Sequence, residues 1–178
     1  MEIWVGLSFN IKLIIILRGR KMPQISKGGK FVFGWSIINP KGYVKIPEIT
    51  FNEYGLSTDE NVILFSGSKT SGGFCVSNRT LINKSIIKGL FVEHPEINDY
   101  SLNEGDCVKY KGRLYSWSKI HPEGILRLFP HTMKLFSVKP GDKLLSIRGS
   151  NIAFVLAVKG PIIEAANRYG GIIDEYLC

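Results

Sequence analysis

One octapeptide pattern occurs twice in the chain. Trp35-Ser36-Ile37-Ile38-Asn39-Pro40-Lys41-Gly42 and Trp117-Ser118-Lys119-Ile120-His121-Pro122-Glu123-Gly124 share Trp-Ser-x-Ile-x-Pro-x-Gly at an offset of 82 residues. Carried forward without a gap, the offset pairs Lys45 with Arg127, Leu56 with Val138, Val62 with Leu144, Gly67-Ser68 with Gly149-Ser150, and Val76 with Val158. The chain is therefore one supersecondary unit used twice. A unit of this size is too small to bury its own apolar face, so the two copies are expected to pair with each other.

Each copy reads the same way locally. Phe31, Phe33 and Trp35, like Leu114, Tyr115 and Trp117, belong to aromatic and β-branched runs that favour a first strand. Asn39-Pro40-Lys41-Gly42 and His121-Pro122-Glu123-Gly124 put proline second and glycine fourth in a four-residue turn, which makes a hairpin. The second strand, Tyr43 to Ile46 or Ile125 to Leu128, alternates so that Lys45 and Arg127 point away from the face of Val44, Ile46, Leu126 and Leu128. A short helix is expected from Glu48 to Tyr54 and from His131 to Phe136, each just past a proline. A third strand, Val62 to Phe65 or Leu144 to Ile147, and a fourth, Phe74 to Ser77 or Ile152 to Val158, complete the unit.

The pattern predicts a mainly β fold with short helices, of the α+β class, built as two β-β-α-β-β repeats. Helices are expected to trail both copies, over Thr80 to Leu90 and from Pro161 to Tyr169. This divides the chain into an N-terminal extension (1–21), a first repeat with its trailing helix (30–92), a polar linker (93–105) and a second repeat with its trailing helix (106–172). The extension holds an apolar run, Ile11 to Leu17, too short for a membrane span, followed rather than preceded by Arg18, Arg20 and Lys21. It reads either as a strand or tail, or as upstream sequence with the working protein beginning at Met22.

Charge and cysteine content narrow the function classes. The formal charge is +8, which favours an anionic partner. Without the first 21 residues the balance falls to +5, because Lys12, Arg18, Arg20 and Lys21 leave together with the single acid Glu2. Cys75, Cys107 and Cys178 are odd in number and lack Cys-x-x-Cys spacing, so neither a disulfide framework nor a zinc knuckle is written here, and a reducing cytoplasm fits best. His94, His121 and His131 have no carboxylate or cysteine at metal-ligand spacing. No enzyme signature, cofactor motif or metal site is expected.

Gly42, Ile46 and Pro47, the Tyr54-Gly55-Leu56 helix end, and Asp59 with Glu60 before an apolar strand form a pattern that resembles the AbrB/SpoVT module. In the second copy, Leu135-Phe136-Ser137-Val138-Lys139-Pro140-Gly141-Asp142-Lys143-Leu144 is similar to the family's Leu-Gly-Ile-Lys-Pro-Gly-Asp-Lys-Val segment. Arg148-Gly149-Ser150 and Val158-Lys159-Gly160-Pro161-Ile162 also resemble signatures of a two-copy group. The resemblance implies a swapped-hairpin β-barrel, formed here within one chain, and DNA binding by a transcriptional regulator or by the antitoxin of a toxin pair. Family DNA binders carry an arginine directly after the turn glycine and two basic residues in the short helix. Here those positions hold Tyr43 with Phe51 and Asn52, and Ile125 with Met133 and Lys134.

The candidate nucleic-acid-binding residues are Lys41, Lys45, Arg127, Lys134 and Arg148, as phosphate contacts. Ordinary solvated side chains are the alternative for each. Trp35 and Tyr43 could stack on bases, but a core role is expected for a tryptophan that both copies keep. The glycine- and serine-rich run Gly67 to Gly73 is expected to be a hairpin connection; as an anion cradle of the P-loop kind it would need a following helix. DNA and a second copy of the chain are the expected partners, with no membrane. The alternative function is a barrel that binds a ligand or a protein and not DNA.

Overall fold

Turn chemistry builds the two opening hairpins. In the computed structural model, which describes residues 30–58 and 60–178, the Asn39 side-chain oxygen accepts hydrogen bonds from the Lys41 and Tyr43 N–H groups, both at 2.9 Å. Gly42 takes φ +82° to complete the turn between β1 (Val32–Ile37) and β2 (Tyr43–Lys45). The second copy uses a single 3₁₀ turn, Pro122–Gly124, between β6 (Arg113–Lys119) and β7 (Ile125–Arg127). The expectations for residues 1–21, for a start at Met22 and for Asp59 lie outside the described residues.

Between and after these come α1 (Ile49–Tyr54), β3 (Asn61–Ser66), β4 (Phe74–Ser77), α2 (Arg79–Asn83), α3 (Leu90–Glu93), α4 (Pro95–Asn98) and β5 (Val108–Tyr110). After β7 follow α5 (Pro130–Leu135), β8 (Lys143–Ser150), β9 (Ala153–Ala157), α6 (Pro161–Arg168) and β10 (Glu175–Tyr176). The fold is mainly β with short helices. An eight-stranded sheet runs β10-β1-β8-β9-β4-β3-β6-β5, and β2 and β7 form a separate two-stranded sheet.

The two halves interlock. Strand β1 pairs with β8 of the other half and β3 with β6, both antiparallel, while β2 pairs with β7 and β4 with β9. Shifting by 82 residues turns β1·β8 into β6·β3 and returns β2·β7 and β4·β9 to themselves, which is a twofold relation inside one chain. Individual hydrogen bonds repeat at the same offset. Ile46 N–H to Gly124 O (2.9 Å) mirrors Leu128 N–H to Gly42 O (2.8 Å), and Ile38 N–H to Asp142 O (3.1 Å) mirrors Ile120 N–H to Glu60 O (2.8 Å). Carboxylate caps repeat too, Glu60 on the Ser57 N–H (2.9 Å) and Asp142 on the Lys139 N–H (2.8 Å).

Among the described residues the ladders do not close into one continuous barrel. Proline turns and three-residue second strands leave the two sheets joined at β1/β2 by Asn39 N–H to Tyr43 O and at β6/β7 by His121 N–H to Ile125 O, both 2.8 Å. Side chains fill the space between the sheets. Phe33, Val62, Leu64, Phe74, Val76, Phe154 and Leu156 meet Val44, Ile46, Leu126 and Leu128 in one buried cluster. Helices α1 and α5 add Tyr54 and Met133 to it, and Phe136, just after α5, stacks on Phe74 at 5.5 Å. Alternation along each strand sends the intervening residues outward.

Two further layers cover the outer faces. Ile82, Leu90, Phe91 and Ile97 pack on Ile63, Phe65 and Tyr115, while α6 lays Ala166, Ile162 and Ile163 against Trp35, Leu145 and Ile147. The expected helix over Thr80 to Leu90 is broken: α2 stops at Asn83, because the Ser85 hydroxyl donates to Ile82 O (2.8 Å) and its oxygen accepts from the Ile87 N–H (3.2 Å). The stretch read as a polar linker carries α4, whose Ile97 is fully buried.

Candidate nucleic-acid interface

The β2–β7 ribbon presents an inner face, Val44 opposite Leu126, and an outer face bearing Tyr43, Lys45, Ile125 and Arg127. Tyr43 lies opposite Arg127 and Lys45 opposite Ile125, so the two basic residues occupy diagonal positions on one face. Their surroundings differ. Arg127 is exposed, with its guanidinium 5.9 Å from the Tyr43 ring centre and 4.6 Å from that of Phe129. Those rings hold the planar cation without neutralising it. Lys45 is half-buried and its Nζ lies 4.0 Å from a Glu123 carboxylate oxygen.

The turn residue Gly42 sits so close to β7 and α5 that an added Cβ would meet Leu128 O and the Met133 methyl. That docking brings exposed Lys41 beside the main chain that carries Arg127 and exposed Lys134. At the other end of the ribbon, Gly124 sits against the Phe51 ring, with Glu123 in the place of Lys41. The Lys41 position at one end of the twofold ribbon is thus an acid, Glu123, paired with Lys45, at the other.

Arg148 stands apart on β8, its Nε 2.8 Å from a Glu53 carboxylate oxygen and its guanidinium 4.4 Å from the Phe31 ring centre. Of the five candidate residues, Lys41, Arg127 and Lys134 therefore lie on adjoining main chain at one end of the ribbon, while Lys45 and Arg148 stand beside carboxylates. Sequence reading missed Phe129 as a support of Arg127. The signal was present in the period-two alternation, which puts residues 127 and 129 on one side of an extended chain.

Trp35 is buried, with the Lys143 ammonium 4.8 Å from its ring centre, and Trp117 donates its indole N–H to Leu102 O at 2.8 Å. Neither ring is offered for stacking on a base. The run from Gly67 to Gly73 connects β3 to β4, with a strand rather than a helix after it. Burial pushes the Cys75 thiol up to about 11, against a small opposing effect of Arg113, so it stays protonated and unreactive at neutral pH. Burial also raises Cys107 and Cys178. Among the described residues no group of three or more His, Cys, Asp and Glu side chains could hold a metal ion, and no helix is long and apolar enough to cross a membrane.

No protein-family profile matches the chain, and no curated protein matches it. A solved structure similar to it is the solution structure of PHS018 from Pyrococcus horikoshii, at 13% identity and a TM-score of 0.32, covering 73% of this chain and 96% of that one.

Proposed function

We propose that this chain is a DNA-binding regulator of the AbrB/SpoVT type, in which two repeats of one polypeptide make the swapped-hairpin pairing that two subunits would otherwise share. The exchanged pairing of β1 with β8 and of β3 with β6 supports that architecture. The observation that carries the functional reading is Arg127, exposed on the ribbon beside two rings, with exposed Lys41 and Lys134 on the adjoining main chain. A ring-supported guanidinium with two exposed ammonium groups is a phosphate-contacting set, and phosphate contacts supply affinity and fix register without reading sequence. The duplex is gripped on this side alone, because Glu123 occupies the equivalent of Lys41 and lies beside Lys45.

Fluorescence anisotropy on a labelled duplex tests the reading. The triple change Lys41→Ala, Arg127→Ala, Lys134→Ala is expected to abolish binding at moderate salt, while Lys45→Ala with Arg148→Ala changes it by less than about threefold. Equal losses from both sets would refute the one-sided interface. The second reading, a barrel that binds a ligand or a protein and not DNA, is favoured by the carboxylates beside Lys45 and Arg148. Absence of binding to any duplex at low salt would select it.

A further inference from the structure

Between the helical layers α2–α4 and α6 the chain leaves a gap over β4 and β9. A groove of about 690 Å³ lies there, within the roughly 300–1,000 Å³ range of small-molecule sites. Cys75, Ala153, Val155 and Ala157 form its floor, Phe65 and Tyr115 one wall, and Ile147 and Ile162 the other. The two hairpin turns stop its ends, Ser68 to Ser71 at one and Gly149 to Ser150 at the other. The Val158 and Lys159 N–H groups both donate to Ser71 O, at 3.0 and 3.1 Å, which ties the first turn to the chain entering α6. A slot closed at both ends suits a bounded molecule better than a continuous chain.

Its charge is one-sided. Lys30, Lys111, Arg113, Arg148 and Lys159 line it, and among the described residues no carboxylate does. Arg148 is offset by Glu53, but Lys111, Arg113 and Lys159 have no ion pair among the described residues. All three lie on chain segments at the Ser68–Ser71 end. Leu114, next to Arg113, donates its N–H to Ser66 Oγ at 3.1 Å, Lys111 lies in the turn just before β6, and Lys159 is bonded to Ser71. Helix α6 starts at the same end, with Pro161 and Ile162 on the groove, and its N-terminal dipole adds to the positive field. From there the floor runs along β9 toward Ala153, about 13 Å by strand rise, past small residues that leave a narrow apolar slot.

We propose that the groove binds a small amphiphilic anion, a carboxylate on an unbranched acyl chain. The carboxylate sits among Lys111, Arg113 and Lys159, and the chain lies along Val155 and Ala153 toward Gly149. A duplex does not fit a slot recessed between helices. The chain's own first 29 residues share the sign of the rim, through Lys12, Arg18, Arg20, Lys21 and Lys27. The groove shares no residue with the β2–β7 ribbon or with Lys41 and Lys134, and the proposal is independent of DNA binding.

Two-dimensional amide NMR of the full chain, titrated with decanoate below its micelle concentration, tests it. Saturable shifts are expected at Val155, Lys159 and Ile162 and not at Val44 or Leu126. Decanol and decyltrimethylammonium should bind at least tenfold more weakly than decanoate, a comparison that needs no variant. Changing Lys111, Arg113 and Lys159 together to glutamine should weaken decanoate at least tenfold with decanol unchanged. The proposal is overturned if the ammonium amphiphile binds as well as decanoate, if the triple variant keeps wild-type affinity, or if no saturable shift occurs up to millimolar decanoate.

Discussion

Replacing Gly42 with alanine tests how firmly the two halves are locked together. Gly42 adopts φ +82°, a left-handed conformation that costs an L-residue about 1–2 kcal/mol. A Cβ there would also overlap the Leu128 carbonyl oxygen, and relieving that overlap moves β7 away from the turn. The hydrogen bond from Leu128 N–H to Gly42 O, 2.8 Å long and joining the halves, is lost with it, at a net cost of about 1 kcal/mol. Together these, less the offset of about 0.4–1 kcal/mol that any Gly→Ala change gains by restricting the unfolded chain, predict destabilisation of about 2 kcal/mol for Gly42→Ala. Gly55 is the control, since it has φ +60° but nothing within 4 Å of an added Cβ. Its alanine variant carries only the backbone cost, partly offset by about 0.4–1 kcal/mol through the restricted unfolded chain, leaving about 1 kcal/mol. Urea unfolding followed by circular dichroism measures both. If the two variants lose the same stability, the close approach of the turn to Leu128 is not what joins the halves.

The repeat supplies a second backbone test: Ser137 is the equivalent of Gly55 and takes φ +55° without being glycine, so Ser137→Gly is expected to raise stability by up to about 1 kcal/mol in the same urea assay. Burial raises the Cys75 thiol from 9.0 to about 11, so its stabilising contribution is complete below pH 9 and is lost as pH rises to 11. That loss is about 3 kcal/mol and should be absent in Cys75→Ala, while the buried Tyr54 hydroxyl, raised from 10.0 to about 12, leaves a slope above pH 10 in both proteins. Residues 30–92 expressed alone should be unfolded or dimeric by sedimentation, because β1, β2 and β4 then lack their partners β8, β7 and β9; a stable folded monomer would contradict the interlocked pairing.

The parts of the fold legible in the sequence are those fixed by short-range chemistry. The Asn39–Gly42 turn, the inward and outward alternation of Val44, Lys45 and Ile46, and β4 at Phe74–Ser77 follow from residues a few positions apart. The 82-residue offset carried the equivalence of the halves, down to Glu60 and Asp142 as matching caps. Strand β5, helix α4 and the break after Asn83 were not legible. Each depends on packing, as with Ile97 beneath α4, or on a serine side chain competing for the backbone. At the candidate interface the basic residues were visible, but not that Glu123 and Glu53 stand beside Lys45 and Arg148, since Glu53 and Arg148 are 95 residues apart. The groove had no sequence signal at all. Its cations come from the turn before β6 and the approach to α6, which only the folded sheet brings together.

The most direct test of the DNA-binding account is the salt dependence of duplex binding by the unmodified protein. Affinity for a fluorescein-labelled duplex, measured by anisotropy from 50 to 200 mM salt, should fall with a log–log slope of about −2.7, as neutralisation of three phosphates by Lys41, Arg127 and Lys134 requires. Arg127→Ala should reduce that slope by about one. A slope near zero, or no binding at 50 mM salt, would contradict the account.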